Sequence, residues 1–113
     1  MFDMLNMLGK AKDLQAKVQE TKDRLAVTVI DALSDDQLVK VTINGKKQVL
    51  NLEIAESIQN KEQHDLMKNS VLSALNKAMA EMDKIYVEEL KKSTEGLLPN
   101  IPGLDLGKIL TGQ

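Results

Sequence analysis

The residues that could do chemistry are few, and their spacing is wrong for it. The only histidine is His64, flanked by Glu62 and Asp65, and no HExxH or related metal-binding pattern surrounds it. It is expected in the exposed first turn of a helix. Paired carboxylates occur at Asp35-Asp36 and Glu88-Glu89. Acid–base work needs one member of such a pair desolvated beside a substrate. The first pair lies in turn-forming sequence and the second on a charged helical face. The absence of cysteine removes disulfides, thiolate zinc sites and cysteine nucleophiles. There is neither a glycine-rich phosphate loop nor a GxSxG elbow. The expectation is a protein that is not an enzyme and uses neither cofactor nor metal.

What remains is lysine chemistry. Near the N-terminus Lys10, Asp13, Lys17, Glu20 and Arg24 alternate in sign at helical spacing, as intrahelical ion pairs do. The opposite flank, Lys12, Gln15, Gln19 and Lys22, reads as a stripe without an acid. Lys40, Lys46 and Lys47 form a second, locally unbalanced group. Lys10, Lys12, Lys17, Lys22, Arg24, Lys40, Lys46 and Lys47 are therefore the candidate contacts for the phosphates of double-stranded DNA. Lys12 and Lys22 are the least compensated of them. Arg24 is the sole arginine, so bidentate reading of bases is scarce. Phe2 and Tyr86 make no stacking platform. Binding, on these residues, is backbone-dominated and weakly sequence-selective. The formal net charge of -2 gives no bulk attraction to nucleic acid, so a local patch must supply it.

The elements that position these lysines follow from periodicity. Met4, Met7, Ala11, Leu14, Val18, Thr21 and Leu25 form an a/d seam over a helix spanning residues 3–25. Residues 26–54 read as three strands. Ala26 to Leu33 is rich in β-branched residues, Ser34-Asp35-Asp36 is turn chemistry, and Leu38 to Ile54 is a hairpin. Asn44-Gly45 predicts a two-residue type I′ turn, which sets Ile43 opposite Lys46, Val41 opposite Gln48 and Val39 opposite Leu50. One face then holds Val39, Val41, Ile43, Leu50, Leu52 and Ile54. The other holds Leu38, Lys40, Thr42, Lys47, Val49 and Asn51, and is basic. A second helix runs from Asn60, capped with Gln63, to about residue 94, with Gly96 as its stop. Its apolar stripe is Leu72, Leu75, Met79, Met82 and Tyr86, widened by Val71, Ala74, Ala78, Ile85 and Leu90. Lys77, Glu81, Lys84, Glu88 and Lys91 make a self-compensated solvated face.

The fold class is α+β: an antiparallel three-stranded meander flanked by two long helices. With 113 residues it is one domain. The domain covers residues 1–96, followed by a tail, 97–113, that contains Pro99 and Pro102. The tail is expected to be dispensable for folding. Seam and sheet left uncovered in a monomer predict a homodimer. The apolar N-terminus is interrupted by Asp3 and Asn6 and lacks a basic lead, a poor signal peptide. No run approaches a membrane span.

The order of these parts resembles the YbaB/EbfC family of bacterial nucleoid-associated proteins. The likeness lies in MFDMLNMLGKAKDLQAKVQ, in LVKVTINGKKQVLNLEI, in LSALNKAM with Ala74, Asn76 and Ala78, and in STEGLLPNIPG with Gly96, Leu98 and Pro99. It implies an α-β-β-β-α protomer in a homodimer with projecting helices. It also implies DNA binding without catalysis, in the cytoplasm at the nucleoid, with a role in organising the nucleoid or modulating gene expression. The family's turn before the hairpin is often glycine-rich, whereas Ser34-Asp35-Asp36-Gln37 stands here. The acidity of the chain favours a second possibility, a dimeric adaptor for a protein partner in replication or recombination.

Overall fold

A computed structural model describes residues 2–95, with side chains from Met4 onward. Gly96 and the tail, and so the boundary between domain and tail, lie outside the described residues. The element order is α1 (Phe2–Ala26), β1 (Val29–Leu33), β2 (Val39–Asn44), β3 (Val49–Ile54), two 3₁₀ turns (Glu56–Ile58 and Lys61–Gln63) and α2 (His64–Ser93). The strands form one antiparallel sheet in the order β1-β2-β3. This is the expected α-β-β-β-α chain.

Both hairpin connections use the same device. Ser34 and Asn44 each open a turn in which the backbone N–H three residues on, of Gln37 and Lys47, donates to their carbonyls at 2.9 Å. Gln37 and Lys47 then take positive φ, 62° and 61°. The second turn therefore differs from the type I′ expectation. Asn44 stands before the bend rather than within it, and its Oδ1 accepts from the N–H groups of Lys46 and Gln48 at 2.9 and 3.1 Å. The register moves with it, by four residues along β3. Val39 pairs with Ile54, Val41 with Leu52 and Thr42 with Asn51, and an irregularity brings Ile43 opposite Val49. Because the shift is even, Leu52 and Ile54 keep their face.

The core lies between β2 and α2. Val39, Val41 and Ile43 are fully buried against Ala74, Ala78 and Met82, with Ile58 closing one end. Leu38, assigned to the outer face by alternation, packs against this cluster at the strand's start. On α2 the buried line is Ser70, Ala74, Ala78 and Met82. Its small residues let the helix approach the sheet closely, and the large residues flank that contact. Leu72, expected in the stripe, is exposed, while Leu75, Met79 and Tyr86 are half-buried. Partial burial raises the pKa of the Tyr86 phenol. α2 covers β1 and β2 and leaves β3 open, so Val49, Leu50 and Leu52 remain exposed.

The start of α2 agrees with its expected cap. Asn60 Oδ1 accepts from the Gln63 N–H at 3.0 Å, although the first turn is 3₁₀ and the α-helix proper begins at His64. The far end is closed by Thr94, whose N–H and hydroxyl both donate to the Leu90 carbonyl, at 2.9 and 2.6 Å.

Candidate nucleic-acid interface

α1 is attached to the body only near its C-terminal end. Thr21 and Leu25 are buried, Leu14 and Val18 half-buried, and Met4, Met7 and Ala11 exposed. Two side-chain contacts fasten it antiparallel to α2. The Thr21 hydroxyl donates to Ser93 Oγ at 2.7 Å, and Arg24 pairs with Glu89 at 2.6 Å. A third contact is backbone on backbone: Gly45, at the β2–β3 tip, lies directly against the Leu25 carbonyl. The remainder of α1 projects, and the molecule measures 71 × 28 × 16 Å.

This arrangement divides the eight candidate residues. Four are held in ion pairs. Lys17 pairs with Glu20 at 3.7 Å, as its spacing predicts, and Arg24 with Glu89. Lys40 pairs with Glu53 at 3.2 Å, and Lys47 with Asp83. Lys10, Lys12, Lys22 and Lys46 have no ion-pair partner among the described residues. Because Gly45 touches Leu25, Lys46 is brought to the same end of the molecule as Lys22. Lys40 lies at the opposite end of β2 and is not brought to them.

Three charge expectations change. The outer face of the hairpin is not basic: Lys40 faces Glu53, and Thr42 donates to Asp31 Oδ1 at 2.6 Å. The Lys12/Lys22 flank is not free of acid, since Asp23 lies beside it and accepts from Gln19 Nε2 at 2.9 Å. Lys77 is drawn off the solvated face of α2 to pair with Asp35. That pairing, missed by sequence, gives the acidic turn a structural task. Asp36 does the rest, accepting from the Ser34 hydroxyl at 2.5 Å, the Leu38 N–H at 3.0 Å and the buried Ser70 hydroxyl on α2. Those hydrogen bonds, Ser34 and Ser70 foremost, lower the Asp36 pKa. Both carboxylates thus tie the turn to α2. Their partners lie more than 30 residues away in sequence, beyond the reach of local spacing.

His64 is exposed, and among the described residues no group of three His, Asp or Glu side chains could hold a metal ion. None of the described helices is long and apolar enough to cross a membrane.

The family model of the YbaB/EbfC DNA-binding family matches residues 1–97. The chain belongs to that family. Relatives within reach of YbaB/EbfC sequence include a nucleoid-associated protein of Flavobacterium johnsoniae, 33% identical over 105 residues, covering 92% of this chain and 96% of that one. A nucleoid-associated protein of Mesorhizobium japonicum is 34% identical over 106 residues, covering 94% and 98%. Among solved structures, an uncharacterized Helicobacter pylori protein shares the fold, with a TM-score of 0.65 at 21% identity, over 85% of this chain and 98% of that one. The family match supplies DNA as the ligand class of YbaB/EbfC proteins.

Proposed function

We propose that this protein is a non-catalytic, nucleoid-associated DNA-binding protein that acts in the cytoplasm as a homodimer. It holds duplex DNA by its phosphates, with little sequence preference. The observation that carries this is the projecting α1. Between Lys10 and Arg24 it holds Lys10, Lys12, Lys17, Lys22 and Arg24 against Asp13, Glu20 and Asp23, a local basic excess in an acidic chain. Three of those lysines have no ion-pair partner among the described residues, and Lys46 lies beside the anchored end. A lysine free of an acid neutralises phosphate without first breaking an ion pair. The homodimer rests on the open β3 flank, where Val49, Leu50 and Leu52 present apolar surface next to the α2-covered core.

The test is a titration with random-sequence duplex at two salt concentrations. The log–log slope should approach about -0.9 per phosphate contact, with roughly four to six contacts per dimer and micromolar affinity. Lys12→Glu with Lys22→Glu should abolish binding. Lys84→Glu with Lys91→Glu, exposed on α2, should weaken it only modestly. Equal losses would mean a diffuse field rather than a site. A wild-type chain with no measurable affinity at low salt would shift the function to an adaptor for a protein partner.

A further inference from the structure

The apolar stripe of α1 continues well past the point where α2 ends. Met4, Leu5, Met7 and Leu8 are exposed, and an open depression of about 720 Å³, lined by Lys12, Leu14, Gln15, Ala16, Val18 and Gln19, follows them along the helix. Large apolar groups kept in register on a projecting helix call for a cover. We propose that the cover is the C-terminal segment of the same chain, residues 97–110, docked along α1 as a strap.

Direction, reach and chemistry agree. The Thr21–Ser93 and Arg24–Glu89 contacts make α2 antiparallel to α1. The axis of α2 therefore runs toward the Met4 end of α1, and Glu95 lies level with about Val18. The stretch from Val18 to Met4 is about 21 Å of helix. Residues 97–110 span up to about 46 Å when extended, so even half-extended they cover it. The segment carries Leu97, Leu98, Ile101, Leu104, Leu106, Ile109 and Leu110. Pro99 and Pro102 oppose helix formation and favour an extended run, the shape a groove along one helix accepts. Its only charges, Asp105 and Lys108, cancel. The open β3 flank is a different surface, on the sheet, so a second copy seated there leaves the α1 stripe bare.

The chain contains no cysteine, which makes cross-linking clean. Met7→Cys is combined in the full-length protein with Leu98→Cys, Ile101→Cys or Leu104→Cys. Asn51→Cys with Ile101→Cys, on the outer face of β3, is the reference. Under mild oxidation at low concentration, at least one Met7 pair should close within the chain about tenfold faster than the reference. Equal rates would overturn the strap. So would covalent dimers forming readily when chains carrying Met7→Cys alone and Ile101→Cys alone are refolded together, since the cover would then come from another copy. A second measurement does not depend on folding of the cysteine variants. In the full-length Ile101→Asp, Leu104→Asp protein the amides of residues 4–18 should exchange at least about threefold faster than in the wild type. Unchanged exchange would refute the docking.

Discussion

Gly45→Ala tests the joint on which α1 depends. The φ of Gly45 lies outside the left-handed region, so alanine meets no backbone penalty and the effect is purely steric. A Cβ at this position would stand 1.8 Å from the Leu25 carbonyl oxygen and 2.3 Å from its carbon. Ordinary contact begins near 3.4 Å, so the helix end and the hairpin tip must separate by about 1.6 Å. Both neighbours are backbone and cannot rotate away. Separation withdraws Leu25, now 3% exposed, from its site. It also strains the Thr28 N–H bond to the Leu25 carbonyl, 3.0 Å long. Loosening one buried leucine costs up to about 1.5–3 kcal/mol, and overpacking costs are about 1–3 kcal/mol. The two overlap, so the expected loss is about 2–4 kcal/mol, read as a fall of about 1–2 M in the urea midpoint. Gly9→Ala is the paired control. Nothing lies within 4 Å of its added methyl, and it sits inside α1. It should stabilise by about 0.5–1 kcal/mol. If Gly45→Ala cost less than about 0.5 kcal/mol, the contact between tip and helix would not exist.

Gln37→Gly removes a side chain from a positive-φ position and should raise stability by about 0.5–1 kcal/mol in urea unfolding. Lys47→Gly should gain less, because it also gives up the ion pair with Asp83. The Asp36 carboxyl has a folded pKa below its unfolded value, so its contribution is present above about pH 4 and disappears as pH falls through the folded pKa. Asp36→Asn should therefore flatten the acid limb of a stability–pH curve and leave its shape near neutrality unchanged. Leu52→Asp, at an exposed position beside the core, should convert a dimer to a 12.5 kDa species by light scattering while far-ultraviolet dichroism is retained; a persistent dimer would place the interface elsewhere.

The sequence made the α-β-β-β-α order visible because each segment has a period: a/d on α1, alternation on β2, a cap at Asn60. It misled where one residue pair admits two turns. Asn44-Gly45 has the composition of a type I′ bend, but Asn44 acts here as an acceptor for the loop N–H groups. The glycine is required by the Leu25 backbone lying against it, a contact across 20 positions that no local pattern encodes. The expected α2 stripe contains Met82 and, on its widened edge, Ala74, Ala78 and Leu90, all of which are buried. Side-chain size favours Leu72, which is exposed, over Ser70, which lies in the buried line where the helix approaches the sheet. For the candidate interface, the lysines on α1 were legible as a group. The Lys17–Glu20 pair is legible from helical spacing, whereas the pairing of Arg24, Lys47 and Lys77 with Glu89, Asp83 and Asp35 is not, because the fold makes it.

The anchoring of α1 at one end gives it leverage. From Leu25 to Met4 the rod is about 31 Å long. A tilt of about ten degrees about the Thr21–Leu25 joint sweeps the tip through roughly 5 Å, while atoms at the joint move by only a fraction of that. The Val39–Met82 core lies on the far side of the pivot and need not repack. Fitting the arm to an uneven surface is therefore a matter of rotation at a few side chains, with no change required in the body behind it.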